Sequence, residues 1–245
     1  MGNNRVIAIW GSPGSGKTLT SVKIARELAE RKNNVVLVLC DDETPMVPLV
    51  VPSITEAKSL GDLLAQSVVT QINIYQHCIP VGKSISLMGY LLGENENKYA
   101  DYDISRALEF IGLLRHSADY ILIDCSHHML TNTLTAVALE SADVVLRVVN
   151  SDLKSLIYVK SQRPYLKDPK FKYDQHVTVL NNVRPSQDTN PYEGDLGKSS
   201  YILPYLPGLK DQYDAARLLE PLSGREAKLY EPILQNLVKE VIIGE

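Results

Sequence analysis

Residues 11–18 read Gly-Ser-Pro-Gly-Ser-Gly-Lys-Thr and match the pattern G-x-x-x-x-G-K-[ST] in full. The β-rich run Arg5–Trp10 precedes them, and apolar residues at helical spacing follow from Lys17 to Lys32. A strand, a glycine-rich turn and a helix in this order are the setting in which the pattern binds phosphate. A plain turn would need neither Lys17 nor Thr18. The stretch therefore predicts a phosphate-binding loop inside an α/β fold.

Each residue type in this loop has a physical task. Gly14 and Gly16 allow backbone conformations that turn successive N–H groups toward phosphate oxygens. Lys17 would bring a positive charge to the β- and γ-phosphates, and Thr18 a hydroxyl ligand for Mg²⁺. We therefore predict ATP and Mg²⁺ as cofactors. The nucleotide contacts predicted in and after the loop are Gly11, Ser12, Pro13, Gly14, Ser15, Gly16, Lys17, Thr18 and Leu19.

A second carboxylate follows the apolar run Tyr120–Ile123. An apolar run that ends in Asp puts that carboxylate at the carboxyl edge of a buried strand, where ligands bind in open α/β sheets. Asp124 would hold Mg²⁺ through water, so the predicted metal residues are Thr18 and Asp124. A strand-end Asp that caps the following turn is the alternative.

Strands and helices alternate along the rest of the chain. The predicted strands are Val35–Leu39, Ile72–Tyr75, Ile85–Met88, Tyr120–Ile123, Val144–Val149 and Val177–Leu180. The predicted helices are Ser53–Gln66, Ile104–Leu114, Leu134–Leu139, Leu153–Leu166, Tyr213–Leu219 and Tyr230–Val241. This order predicts an α/β fold with a mostly parallel central sheet and helices on both faces. We find no internal repeat and no long linker, and expect one domain over residues 1–245.

Composition limits the classes of protein that remain. The net charge of −4 is too small to draw the whole molecule onto nucleic acid or anionic lipid. Three cysteines at unrelated spacings indicate reduced thiols rather than a disulfide framework. We find no signal peptide and no apolar run long enough to span a bilayer. These features predict a cytoplasmic protein without an integral membrane segment.

Other stretches of the chain, taken together with the glycine-rich loop, resemble the motifs of one protein family. They are Val36–Asp42, Asp119–Cys125, Ala142–Val149, Ser151–Leu156, Val179–Val183 and Leu203–Tyr205. From Arg5 to about Leu219 the chain resembles the ParA/MinD group of dimerising P-loop ATPases, which position plasmids, division sites, flagella and pili. The resemblance implies an ATP-dependent homodimer, slow ATP hydrolysis and a protein partner that recognises the ATP state. It also implies that any place at the membrane or nucleoid comes through that partner.

The resemblance assigns roles to single residues. Asp42 matches the carboxylate that orients the attacking water, with Asp41 as the alternative, so the predicted catalytic residues are Lys17, Asp42 and Asp124. Asn181 matches an adenine-contacting asparagine, and Pro204 lies in the second segment that holds adenine in the family. Capping roles in turns remain the alternative for the two aspartates and for Asn181.

Two positions depart from the family pattern. Ser12 stands where the family carries a signature lysine that reaches across the dimer, and Pro13 replaces a glycine. Lys154, at a predicted helix start, could take over the missing charge. The second switch, Asp124–His128, lacks the usual proline. The ordinary phosphate loop resembles a pilus-assembly or conjugation-associated branch.

Cys125, His127 and His128 have no second ligand pair at a zinc spacing, so we interpret them as a switch loop beside the γ-phosphate.

A patch in which basic and aromatic residues alternate could bind DNA backbone, but acidic neighbours reduce its positive charge, and a solvated face is the favoured interpretation. Its members are Lys160, Arg163, Tyr165, Lys167, Lys170, Phe171, Lys172 and Tyr173. The last helix is expected to pack on the sheet, with Pro232 in its first turn.

The function that these observations predict is an ATP-switched organiser. ATP would close a dimer, a partner would recognise it, and hydrolysis would reset it. A metabolic P-loop kinase or ligase is one alternative, although we find no cluster of acceptor-binding residues. A nucleotide-binding adaptor with little turnover is the other, because the signature lysine is missing.

Overall fold

The protein is described by a computed structural model that covers residues 4–54, 56–196 and 199–245. The strands are β1 (Arg5–Trp10), β2 (Val35–Leu39), β3 (Ile79–Val81), β4 (Ile85–Gly89), β5 (Tyr120–Asp124), β6 (Val144–Asn150), β7 (Val177–Val183) and β8 (Ser199–Pro204). In the described residues these eight strands form one sheet in the order β3-β4-β2-β5-β1-β6-β7-β8. Strand β3 runs antiparallel to β4, and the other neighbours pair in parallel. The predicted mostly parallel α/β sheet is confirmed.

Helices cover both faces of this sheet. They are α1 (Lys17–Glu30), α2 (Val47–Val50), α3 (Leu60–Leu64), α4 (Gln71–His77), α5 (Ile104–Leu114), α6 (Thr133–Ser141), α7 (Leu153–Leu166), α8 (Asn190–Leu196), α9 (Pro207–Asp214) and α10 (Gly224–Leu237), which continues as a π-helical turn over Val238–Ile243. Successive side chains of a strand point to opposite faces. Accordingly Ile7 and Ile9 pack with α1 and α10, whereas Val6 and Ala8 pack with α3 to α6. This burial on both sides explains the continuous apolar runs in the sequence.

The predicted packing of the last helix is confirmed, because Tyr230, Leu234 and Leu237 are buried in the same apolar cluster as α1. Among the residues described, the structure contains no helix with the length and apolar character that a bilayer crossing requires. The expectation of one domain over residues 1–245 stays a prediction.

The predicted strand Ile72–Tyr75 is wrong, because this segment lies in helix α4. The alternation of Ile72 and Ile74 with polar residues imitates a strand. Thr70 caps the helix, since its hydroxyl accepts a hydrogen bond from the Asn73 N–H at 3.2 Å. Ile74 is buried and Ile72 is exposed, so the segment uses one helical face and not one strand face.

The predicted helix Ser53–Gln66 is also wrong in its start, and Thr55 within it lies outside the described residues. Helix α3 occupies only Leu60–Leu64, and its cap is Ser59, whose hydroxyl accepts from the Gly61 N–H at 3.1 Å. The true cap is therefore Ser59 and not Ser53. Another short helix, α2, lies between β2 and α3.

Two predictions near the C-terminus need correction. The helix predicted at Tyr213–Leu219 is displaced toward the N-terminus. The observed helix α9 begins at Pro207 and ends at Asp214, shortly before Ala216, whose φ of +53° is not helical. Pro232, predicted in a first turn, lies inside α10 because that helix begins at Gly224. Pro232 and Lys228 are both exposed, so water can replace the hydrogen bond that proline cannot make.

The loop Gly93–Asp103 is organised around the buried carboxylate of Glu94. Glu94 accepts hydrogen bonds from the Ser59 hydroxyl at 2.5 Å, the Tyr99 hydroxyl at 2.6 Å and the Leu91 N–H at 2.7 Å. Burial alone would raise the pKa of Glu94, but these bonds and one from Lys98 outweigh it, so the pKa is lowered. The loop therefore has a defined polar core.

The segment between α7 and β7 closes over the end of β1. The indole N–H of Trp10 donates to His176 Nδ1 at 3.2 Å, and His176 Nε2 lies 2.8 Å from the Phe171 carbonyl oxygen. The Arg147 guanidinium lies 4.8 Å from the centre of the Tyr173 ring in the same cluster. Burial lowers the pKa of His176 to about 4, so the imidazole is neutral at pH 7.

Candidate functional site

The carboxyl ends of the central strands meet at one edge of the sheet. Strand β1 lies between β5 and β6, and Ile9 is in register with Asp124 of β5 and with Leu146 of β6. The segments that follow β1, β2, β5 and β6 therefore surround one place, which is where open α/β sheets bind ligands. Sequence spacing alone could not give this strand order.

The phosphate loop adopts the backbone conformation that its glycines predicted. Gly14 has φ +76° and Gly16 has φ +85°, in the left-handed region that other residues rarely occupy. A Cβ on Gly16 would lie 2.3 Å from Asn181 Nδ2, so the position has no room for a side chain. Helix α1 begins directly at Lys17, and Gly16 provides no capping side chain. The first N–H groups of α1 are therefore available to an anion.

Lys17 extends along the wall of this loop. Its ammonium lies 3.5 Å from the Ser12 carbonyl oxygen. Burial lowers the pKa of Lys17, and the nearby carboxylates of Asp124 and Asp41 oppose that effect. Ser15 Oγ is buried without a hydrogen-bond partner among the described residues. An enclosed ammonium beside backbone N–H groups fits a polyphosphate. Its oxygens would accept hydrogen bonds from the N–H groups, and its negative charge would balance the Lys17 ammonium.

Asp124 joins the end of β5 to the start of α1. The Thr18 hydroxyl donates to Asp124 Oδ2 at 2.6 Å, and the Ser21 hydroxyl donates to Oδ1 at 3.1 Å. Burial raises the pKa of Asp124 to about 6, although the Lys17 charge and the two hydroxyls act against this. The structure thus brings together Thr18 and Asp124, the two predicted metal residues. Sequence reasoning missed Ser21, which lies one helical turn after Lys17.

Ser12 faces inward rather than toward a partner molecule. It is buried, and its hydroxyl shares a 2.7 Å hydrogen bond with the hydroxyl of Ser155 near the start of α7. Lys154 lies beside this contact, and its ammonium is 4.0 Å from the position that a Cβ would take on Gly14. A lysine charge therefore does reach the loop, from α7 and not from the family position.

The two candidate aspartates after β2 point to different places. Asp41 lines the pocket formed by the phosphate loop, and its Oδ1 accepts from the Thr44 N–H at 2.7 Å. Asp42 lines a neighbouring pocket of about 470 Å³, where its Oδ2 accepts from the Asn132 side chain at 2.9 Å. Burial raises the pKa of Asp42. In this structure Asp41, rather than the expected Asp42, is beside Lys17 and Asp124.

Asn181 contacts the phosphate loop and does not line the pocket. It is 2% exposed, and its Nδ2 donates to the Ser15 carbonyl oxygen at 2.8 Å. The next residue, Asn182, has φ +56° and lines the pocket instead. The adenine contact expected of Asn181 stays a prediction. Pro204 ends β8, and the residues after it rather than Pro204 itself reach the pocket.

The pocket is continuous from the phosphate loop to the loops after β7 and β8. Its volume is about 1000 Å³, at the upper end of the range for small-molecule sites. The loops after β7 and β8, with α9, contribute an aromatic and apolar wall with two basic groups. Its residues are Arg184, Tyr205, Leu206, Leu209, Lys210 and Tyr213. Sequence reasoning missed most of this wall, because α9 was assigned to the wrong residues.

The switch loop after β5 separates its cysteine from its histidines. The Cys125 thiol is buried and points back to the Ile123 carbonyl oxygen at 3.6 Å. Burial raises the pKa of Cys125 to about 12, so the thiol is protonated at pH 7. His127 and His128 instead lie near the acidic residues that follow β2. As expected, His127 borders the pocket.

The basic patch is partly neutralised. Lys160 pairs with Asp195 at 2.8 Å, and Lys170 pairs with Glu140 at 3.1 Å. Phe171 is buried rather than available for stacking on a base. These contacts favour the solvated face over DNA binding, which the patch supports only weakly.

Comparisons with known proteins agree with this geometry. The model of the AAA domain family, AAA_31, matches residues 4–160. The structure is similar to MinD from Pyrococcus horikoshii, solved with Mg-ADP, at TM-score 0.73 and 18% identity, covering 98% of this chain and 97% of that one. It is similar to a ParA family ATPase from Chlorobium tepidum at TM-score 0.77 and 14% identity, covering 98% and 99%.

A third solved structure, the MinC:MinD cell division complex of Aquifex aeolicus, matches at TM-score 0.75 and 18% identity, covering 98% of this chain and 96% of that one. No curated protein sequence matches significantly. The TM-scores establish a shared fold, and the family match covers more than half of the chain. The chain therefore belongs to the AAA domain family and has the fold of the MinD and ParA ATPases.

Proposed function

We propose that this protein is an ATP-hydrolysing switch of ParA/MinD type, which dimerises with ATP and acts in spatial organisation. The observation that carries the proposal is the contact between Thr18 and Asp124 beside the Lys17 ammonium, at the mouth of the phosphate loop. A hydroxyl and a carboxylate at this place suit Mg²⁺, and a lysine suits the β- and γ-phosphates. The Mg-ADP in the P. horikoshii relative supports the same cofactor here.

The roles of the residues follow from their positions. Bound Mg²⁺ would neutralise charge on the β- and γ-phosphates. Lys17 and the N–H groups of α1 would hold the phosphates in line. Asp41, which lines the pocket, would align a water molecule for attack on the γ-phosphorus, and the bond to ADP would break. Asp42 would support this loop through Asn132.

A dimer interface at the pocket mouth has two supports. Lys154 reaches the phosphate loop from the start of α7, where a partner molecule could also contact it. Leu153 and Ile157 on the same helix are 61% and 56% exposed, although both are large and apolar. Residues four apart lie on one helical face, so the two side chains form an apolar strip beside Lys154. We propose that this strip is covered when ATP is bound.

The test is the size of the protein with different nucleotides. We expect a monomer with Mg-ADP and a dimer with a non-hydrolysable ATP analogue, measured by light scattering after size exclusion. Lys17→Ala should remain monomeric with both nucleotides. A wild-type protein that binds the analogue and remains monomeric would contradict the switch.

One alternative has a specific observation in its favour. Ser12 occupies the signature position and is used inside the fold, which suits a nucleotide-binding adaptor with little turnover. A tightly bound nucleotide without phosphate release would favour the adaptor. ADP release that depends on an added metabolite would favour a kinase or ligase instead.

A further inference from the structure

The loops after β2 and β5 meet at the border of the phosphate-loop pocket and form a group of potential metal ligands. Glu43 belongs to the loop after β2, and His127 and His128 belong to the loop after β5. One ligand atom of each residue lies within 4.8 Å of the other two. We call these three residues the histidine cluster. Glu43 is the ligand that the sequence did not reveal, because it is far from the histidines along the chain.

The loop after β5 holds both histidine rings on the same side. The centres of the rings of His127 and His128 lie 3.9 Å apart, whereas neighbours in an extended chain would point in opposite directions. The Tyr158 hydroxyl donates to the His127 carbonyl oxygen at 2.6 Å, and the His128 N–H donates to Ser126 Oγ at 3.2 Å. These contacts fix the turn that presents the two rings together.

The contacts of the cluster already resemble a ligand shell. His128 Nε2 lies 3.0 Å from a Glu43 carboxylate oxygen, and His127 Nδ1 lies 3.8 Å from an Asp41 carboxylate oxygen. A carboxylate beside a metal-binding imidazole commonly orients the ring from the outer shell. The side chains of Glu43 and His128 are 42% and 41% exposed, so an ion can enter from solvent.

The donor set distinguishes this place from the magnesium site. Two imidazoles and one carboxylate suit Zn²⁺, whereas Mg²⁺ prefers oxygen ligands such as those of Thr18 and Asp124. Three protein ligands leave a fourth position for water. The buried Cys125 thiol, directed to the Ile123 carbonyl, does not belong to the set.

We propose that Glu43, His127 and His128 bind Zn²⁺ and so join the loop after β2 to the loop after β5. Both loops border the nucleotide pocket, through Asp41 and His127. Bound Zn²⁺ would restrain these two loops relative to each other at the border of the pocket. This inference goes beyond the proposed function, and its binding test uses no nucleotide.

The experiment uses Co²⁺ as a spectroscopic substitute for Zn²⁺ on the metal-free full-length chain. We expect visible d–d absorption of a four-coordinate site, without a thiolate charge-transfer band, and its loss when Zn²⁺ is added. Glu43→Gln and His128→Gln should each weaken binding by about 10- to 100-fold or more, because removing a ligand costs at least as much as removing an outer-shell partner.

The matched control is His116→Gln, which removes an exposed histidine at the far end of α5 and should bind Co²⁺ as the wild type does. Emission from Trp10, the single tryptophan, checks that each variant is folded. The proposal is overturned if folded wild type gives no d–d absorption, or if both cluster variants bind Co²⁺ as tightly as wild type. Because nucleotide is absent, neither result depends on ATP binding.

Discussion

Asn181 contacts the backbone of the phosphate loop, and this contact gives a prediction for nucleotide binding. Its side chain holds the Ser15 carbonyl and packs against Gly16, so β7 braces the phosphate loop from behind. The side chain is buried, and the oxygen that it holds would lose its donor if Asn181 were truncated. An unsatisfied buried acceptor costs about 1–3 kcal/mol, which the loop would avoid by changing its conformation.

We therefore expect Asn181→Ala to weaken ATP and GTP binding by a similar factor of about ten, through a less ordered phosphate loop. Calorimetric titration with both nucleotides measures this. A contact between Asn181 and adenine would instead weaken ATP binding alone. Selective loss of ATP binding would therefore reject the brace.

Asp41 and Asp42 are neighbours with opposite surroundings. Asp41→Asn should lower ATP turnover about 100-fold, because a carboxylate that aligns the attacking water contributes on this scale. Asp42→Asn should have a smaller effect, because Asp42 accepts a hydrogen bond from Asn132 outside the nucleotide pocket. Phosphate release at saturating ATP distinguishes the two. The reverse order of effects would return the role to Asp42.

At the residue scale, the sequence predicted what the local pattern dictates. Lys17, Thr18 and Asp124 each stand in a motif whose geometry follows from a strand end and a helix start. The oxygens of Asp124 accept hydrogen bonds from side chains of α1, and its role toward Mg²⁺ stays a prediction. Asn181 could not be placed, because its contact with Ser15 depends on the order and register of β1, β6 and β7.

The segment between α7 and β7 should make stability depend on pH. The pKa of His176 falls from 6.5 to about 4 on burial, so its unfolded form binds a proton that the folded form excludes. Stability from His176 is therefore complete above pH 6.5 and decreases as the pH falls toward 4. The loss should reach about 3 kcal/mol.

His176→Gln should flatten this part of the curve. Urea unfolding, followed through Trp10 emission between pH 4 and 7, measures the difference between variant and wild type. The comparison isolates His176 from Asp124, whose raised pKa acts with the opposite sign. Equal slopes in variant and wild type would show that His176 titrates normally in the folded protein.

The loop Gly93–Asp103 gives a second prediction at this scale. Glu94→Gln should destabilise the fold by about 1–3 kcal/mol, because four donors converge on the Glu94 carboxylate. Glu96→Gln, an exposed neighbour in the same loop, is the control and should change little. Chemical denaturation at pH 7 compares them. Equal effects would mean that the loop contributes no stability through Glu94.

Elements were predictable where a long apolar pattern has one interpretation. The bounds of β1, β2 and α7 agree with the sequence, because continuous runs and a helical start leave little freedom. The strand prediction for Ile72–Tyr75 was wrong because four residues fit the helical and the strand period equally well. The helix cap at Thr70 decides between the two. The helix start predicted at Ser53 was wrong because serine, glutamate and threonine occur in turns as well as in capping boxes.

At the scale of the whole molecule, we expect Lys154 to contribute to the proposed ATP-dependent dimer. Lys154→Ala should weaken the dimer formed with the ATP analogue by about tenfold, because a charged hydrogen bond to phosphate or partner is lost. Lys167→Ala, which removes an exposed lysine at the other end of α7, should leave the dimer intact. Sedimentation with the analogue measures both. Identical dissociation constants for the two variants would mean that Lys154 does not replace the signature lysine.

The brace from β7 also sets an order of events during synthesis. The region shared with the AAA domain family ends at residue 160, and the asparagine that steadies the phosphate loop comes later, at position 181. A ribosome-bound chain that has exposed only the first half carries the complete glycine-rich sequence but lacks its clamp. We therefore expect nascent chains to bind nucleotide more weakly until Asn181 has emerged from the ribosome.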